Sequence, residues 1–206
     1  MAAPITHIVL TQKIFNKFFK DKIRKDFFIG SCFPDIRYLK VIDRGKTHFE
    51  HTALNGLKQD NSFSAGVKFH SILDVVREKF ITENNIYPLC PKSKYVTESL
   101  KILEDQIYYP YISNWGEYID YLNEILPDEL SFGITKIDIE KWHSLLQRYF
   151  SRQPDIESVK STIGIGFSKK AVSIMNNNVE KMRVNKKIIN IIKNLYKNLD
   201  SLLNYY

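Results

Sequence analysis

Cysteine is scarce: Cys32 and Cys90 are the only two in 206 residues. Two thiols so far apart do not build the disulfide framework of a small secreted domain, and a reducing compartment is the default. Glycine and proline are also few, 8 and 7, which argues against a turn-rich β fold and for helices. No run approaches the roughly 18 consecutive apolar residues of a membrane-spanning helix, so no transmembrane segment is expected. The opening MAAPITHIVL has no basic leader and no long apolar core. No Sec-type signal is therefore expected, and the cytoplasm is the default location; non-classical export would escape this test. Acidic residues are outnumbered, 23 against 30 Lys and Arg, for a formal net charge of +7. That balance suits an anionic substrate or surface, although many lysines simply solvate helices.

What is present is apolar and aromatic. The hydrophobic fraction is 44%, with 13 Phe and 12 Tyr, enough to build a core and to exclude disorder. Apolar residues recur at helical spacing over residues 7 to 25 (Ile14, Phe15, Phe18, Phe19, Ile23). The stretch 29 to 51 breaks that pattern with Gly30, Pro34 and Gly45, and reads as a long connector. A second helix is expected from Ser64 to Ile81 and a third over Val96 to Ile107. A fourth, capped by Ser113 or Asn114, carries Trp115 to Leu126, and a fifth, capped by Thr135, runs to Phe150. Residues 155 to 176 are helical but interrupted by Gly164 and Gly166, and one long amphipathic helix spans Asn178 to Leu203. The expectation is all-α: a single helical domain, 1–206, of about seven helices. The chemistry gathers in residues 1–82, and 83–206 is a helical remainder.

Four of the five histidines, His7, His48, His51 and His70, fall in the first third of the chain. His70 and Asp74 are four apart on one helix, so they project from the same face and can chelate one ion. The bland alternative is a surface ion pair. At the helical period they sit at the edge of the apolar stripe. Asp35 follows a proline that restricts the connector, and His48 sits in Thr-His-Phe. Imidazole nitrogens and carboxylate oxygens drawn from two helices and their connector suit zinc or another divalent first-row metal. Cys32 reads as a small buried hydrophobe, and His51 as a further metal ligand or a residue beside the ligands.

The order of these residues resembles a known family. It runs His7, then FFIGSCFPD with Phe27, Gly30, Pro34 and Asp35, then Thr47-His48-Phe49, then Ala65-Gly66 leading to His70 and Asp74. This is similar to the bacterial zinc-dependent phospholipases C, which share an all-α fold and a polymetal site with zinc-dependent single-strand nucleases. The likeness covers residues 4 to 80. It implies two zinc ions, one held by Asp35, His48, His70 and Asp74, the other by His7 with Asp74 bridging. It also implies that a free Ala2 amine joins the second ion. The family's further histidine is here Phe80, and the later pair that completes a third site is here His143 with Gln147. A dinuclear centre is therefore expected, with His143 packed beside Trp142.

Such a centre would hydrolyse a phosphodiester, with Asp35 as ligand or general base and Arg37, or less favourably Lys46, steadying charge. Tyr38 would line the substrate cleft. An anionic phosphoester, phospholipid first, is the expected partner, and nucleic acid is the alternative. The terminal helix, with Lys181, Lys186, Lys187, Lys193 and Lys197 around its apolar stripe, permits peripheral membrane contact, or is an ordinary core helix. An HD-type phosphohydrolase is disfavoured because the chain has no His-Asp dipeptide. A non-enzymatic helical interaction module would leave the histidines structural.

Overall fold

A computed structural model describes residues 3–49, 52–155 and 167–206. These form nine α-helices with short 3-10 turns between them, and the described residues contain no strand. In chain order the helices are α1 Pro4–Phe18, α2 Arg24–Cys32, α3 Ser62–Glu83, α4 Val96–Tyr108, α5 Trp115–Tyr121, α6 Pro127–Leu130, α7 Lys136–Phe150, α8 Lys169–Arg183 and α9 Lys186–Leu203. The all-α expectation holds. Apolar side chains from Ile5 to Leu203 pack into one cluster. Ala2 and His51, and the segment 156–166 of the interrupted helix, lie outside the described residues.

The first helical run is two helices. α1 ends at Phe18 and α2 begins at Arg24. The intervening turn is held from outside: the Ile23 N–H donates to Ser62 Oγ, and Lys22 Nζ donates to the Lys58 and Asp60 carbonyls. The connector correspondingly begins later than residue 29 and runs on to α3 at Ser62. Helix α2 runs through Gly30 to Cys32, and a 3-10 helix continues over Phe33–Leu39. Gly30 disfavours a helix by about 1 kcal/mol, but α2 packs along α3 as its principal neighbour. Two glycines permit this. A Cβ on Gly30 would overlap the Phe63 carbonyl oxygen, and one on Gly66 would overlap that of Phe27. The helices touch backbone to backbone.

Helix α3 is the axis of the fold and packs on α1, α2 and α9. It is buried on nearly every face, including His70, Asp74 and Arg77. His70 and Asp74 are thus inside the molecule, not at the edge of a half-buried face. The apolar stripe locates one buried side; the other is covered by α1 and the connector, which bring polar groups of their own.

Further along, α5 stops at Tyr121 and Asn114 caps it with no side-chain bond. Pro127, which favours an extended Leu126, starts the separate helix α6. Thr135 caps α7 as expected, accepting from the Asp138 N–H. The long C-terminal helix is two. The Asn185 side chain accepts from Lys187 and Ile188 N–H and so begins α9 after α8 has ended at Arg183. The α9 stripe Ile188, Ile192, Leu195, Leu199 and Leu203 is fully inside the core. It is the stripe of a bundle helix and is not available to a bilayer. No helix of the described residues is long and apolar enough to cross a membrane.

Candidate metal centre

Three elements deliver the ligands. Helix α1 supplies His7 in its second turn. Its start is anchored by Asp105 of α4, since Ala3 at the N-cap offers no side-chain acceptor. Thr6 N–H and Oγ1–H both donate to Asp105 Oδ1 at 2.7 Å, and Tyr149 Oη–H donates to Oδ2 at 2.9 Å. A carboxylate from 99 positions away thus serves the first-turn donors that a local cap would satisfy.

Burial pushes Asp105 up to about 7 from 3.8, against the lowering effect of its Thr6 and Tyr149 donors. A raised folded pKa means stability is greatest below the unfolded value, falls as pH climbs from about 4 to about 7, and is level above that. The urea midpoint of the wild type should therefore drop over that window relative to a variant that lacks only this carboxyl, the other titrating groups being common to both. Asp105→Asn, which keeps an acceptor for Thr6, is that variant, and its midpoint should gain on the wild type's over the same pH step. Parallel curves for the two proteins would refute this role.

Helix α3 supplies His70 and Asp74. The close approach of α2 places the Ser31 carbonyl 2.9 Å from His70 Nδ1. A carbonyl only accepts, so Nδ1 carries the proton and Nε2 presents its lone pair. The connector supplies Asp35 and His48. His48 Nδ1 lies 3.1 Å from Thr47 Oγ1, and the next residue, Phe49, donates its N–H to Ser71 Oγ on α3 at 3.0 Å. That bond ties the connector to α3 beside His70.

The five side chains converge. His7 and His70 stack with ring centroids 3.8 Å apart, and His48 meets His70 edge-on at 5.0 Å. Ligand atoms of His7, His70 and Asp74 lie within 4.8 Å of one another, and so do those of Asp35, His48 and His70. The Asp74 carboxylate stands between the two groups: Oδ1 is 3.4 Å from His7 Nε2, while Oδ2 is 3.6 Å from His48 Nε2 and 3.7 Å from His70 Nε2. His7 Nδ1 and Nε2, His48 Nε2, His70 Nε2 and Asp35 Oδ1 are buried with no hydrogen-bond partner. Leaving so many donors and acceptors unpaired is unfavourable in a folded interior, and a cation held there would supply the missing interaction.

Electrostatics point the same way. Burial, then the neighbouring His70 and Arg44 charges, lowers His48 to about 3. Burial, then His7, lowers His70 to about 4. Burial opposes ionisation of Asp74, but the imidazoles of His70 and His7 outweigh it and hold the carboxylate well below its usual range. At neutral pH His48 and His70 are neutral imidazoles and Asp74 is a carboxylate, the forms that bind a metal. The donor set, nitrogen and oxygen without thiolate, fits zinc or a similar divalent ion. Cys32 is buried among apolar groups, which push its thiol up.

Beside the ligands, Arg37 lies across Tyr38, its guanidinium carbon 4.4 Å from the ring centroid, and Nη2 is 3.5 Å from Asp35 Oδ1. Lys46 is exposed, and the second cation near the ligands is Arg44, with Nη2 3.9 Å from Asp74 Oδ2. Sequence reading passed Arg44 over. The available signal was its position four residues before His48, whose N–H donates to the Arg44 carbonyl at 2.9 Å. Positions Phe80, His143 and Gln147 join neither ligand group. His143 Nε2 is 2.8 Å from Glu129 Oε1 and Nδ1 is 3.1 Å from the Leu122 carbonyl, so it braces α6 against α7. Gln147 donates to the Ile119 carbonyl and to Asn123.

Comparison with protein-family models, with curated proteins and with solved structures finds no match to this chain.

Proposed function

We propose that this protein is a metal-dependent phosphoester hydrolase of the phospholipase C kind, holding two divalent ions, zinc by preference, on His7, Asp35, His48, His70 and Asp74. The observation that supports it is the convergence of five ligand side chains from three elements, with the Nε2 atoms of His48 and His70 buried without a hydrogen-bond partner and both imidazoles neutral at pH 7. Bound there, such ions would polarise a phosphoryl oxygen and lower the pKa of a coordinated water.

The residues of this chain supply the rest. The Ser31 carbonyl keeps the proton of His70 on Nδ1, and the lone pair on Nε2. Asp35, a carboxylate within 4.8 Å of the His48 and His70 ligand nitrogens, would orient an attacking water or accept its proton. Arg37 and Tyr38 line the approach to Asp35. A phosphodiester of a phospholipid is the first-choice substrate and a nucleic-acid phosphodiester the second. Vesicles and soluble oligonucleotides assayed side by side separate them.

The test is metal content by mass spectrometry on protein purified without chelator, wild type beside Asp74→Ala. About two ions per chain are expected in the wild type, falling sharply in the variant, with phosphodiesterase activity that chelator removes and zinc restores. Protein that takes up no stoichiometric metal after add-back would leave a helical interaction module in place of the hydrolase.

A further inference from the structure

The part of the connector that brings Asp35 and His48 to the centre, residues 33–49, also carries four cations, Arg37, Lys40, Arg44 and Lys46, against Asp35 and Asp43, with Glu50 next in the chain. Two of those cations reach the ligand carboxylates. Arg37 Nη2 is 3.5 Å from Asp35 and Arg44 Nη2 is 3.9 Å from Asp74, the first side chain 15% exposed and the second 49%. Arg44 is fixed in register with the ligands, because its carbonyl accepts from the N–H of both Thr47 and His48.

A pair of divalent ions would over-neutralise Asp35 and Asp74. The two guanidinium groups would then face a surplus of positive charge across a few ångströms, an arrangement that calls for an anion between them. The aromatic face that could receive an organic cation is taken. Arg37 already covers the Tyr38 ring and donates to its hydroxyl at 3.1 Å. Guanidinium edges bind phosphate and carboxylate oxygens and repel an ammonium group.

We propose that Arg44, together with Arg37, makes the centre selective for phosphoesters of net negative charge, with an uncharged or anionic headgroup, and excludes quaternary-ammonium headgroups. The inference rests on the hydrolase reading above and adds to it the class of substrate. Arg44 is here a specificity residue that touches the substrate's headgroup side.

The experiment compares dihexanoyl phosphatidylglycerol with dihexanoyl phosphatidylcholine, both below their aggregation concentration, on ion-loaded protein. The expected kcat/KM is at least about tenfold higher for the glycerol lipid, carried by KM, one tenfold step being about 1.4 kcal/mol. Arg44→Glu should abolish the preference while metal content stays at the wild-type value. Equal rates, a preference for the choline lipid, or a ratio unmoved in the ion-loaded variant would overturn the proposal. If ion-loaded protein cleaves neither lipid, the phospholipid reading of the hydrolase fails, and binding of glycerol 1-phosphate against phosphocholine by calorimetry decides the selectivity by itself. Tighter glycerol phosphate binding that Arg44→Glu weakens supports it; equal binding sinks it.

Discussion

Gly66→Ala should destabilise the protein by about 3 kcal/mol or more and disrupt the proposed metal centre with it, although alanine is the better helix former by about 1 kcal/mol. The added methyl would overlap the carbonyl oxygen of Phe27 and lie 3.0 Å from both the carbonyl carbon of Phe27 and the nitrogen of Ser31. These are backbone atoms of α2 and cannot swing aside as a side-chain tip can. The helices must move apart, and the Ser31 carbonyl that orients His70 moves with α2. At this size a loss of 3 kcal/mol lowers Tm by on the order of 10 °C. Calorimetry of the variant and its retained metal after gel filtration are the readouts. Gly56→Ala is the control, because a Cβ there meets nothing within 4 Å. A Gly66→Ala protein that melts with the wild type and keeps its ions would refute the close-packing account.

Glu104→Ala should be nearly as damaging, by about 3–5 kcal/mol, for a different reason. Arg77 is wholly buried, and Glu104 accepts from its Nε at 3.2 and 3.1 Å and from its Nη2 at 2.7 Å. Glu78 holds Nη1 at 2.8 Å from the surface side and remains in the variant. Removing Glu104 leaves a guanidinium in the interior with its main counter-charge gone. Replacing both partners, as Arg77→Met with Glu104→Leu, should recover most of the loss, because two desolvated charges disappear together. Urea denaturation of the single and double variants gives the coupling directly. The exposed pair Lys136–Glu140, at 3.8 Å, marks the other extreme, and its removal should change stability by less than about 0.5 kcal/mol. A Glu104→Ala protein no weaker than that control would show that the buried pair does not brace α3 against α4.

The gap between those two ion pairs separates local from long-range information. Helix α3, α4 and α7 could be read to within a few residues, because their periodicity and the Thr135 cap act over a single turn. The α8–α9 break was also local: Asn185 is a capping residue in mid-run, overridden in the reading by an uninterrupted apolar stripe. The order His7, Asp35, His48, His70, Asp74 was legible because ligand side chains are chemically distinct wherever they stand. Gly30 and Gly66 were visible as letters, but their reason was not. Each is required by a backbone more than thirty residues away in the chain.

By itself the sequence determined the helical class, the apolar faces and the residue types proposed as ligands, since propensity, patterning and donor chemistry belong to single residues and their near neighbours. Only the tertiary structure decided that α2 continues through Gly30, that Asp105 anchors the start of α1 ahead of His7, that Arg44 and not Lys46 faces the centre, and that His70 and Asp74 are buried. Those outcomes depend on which surfaces meet. Packing and desolvation are set by atoms brought together from distant parts of the chain, and no local pattern carries that information.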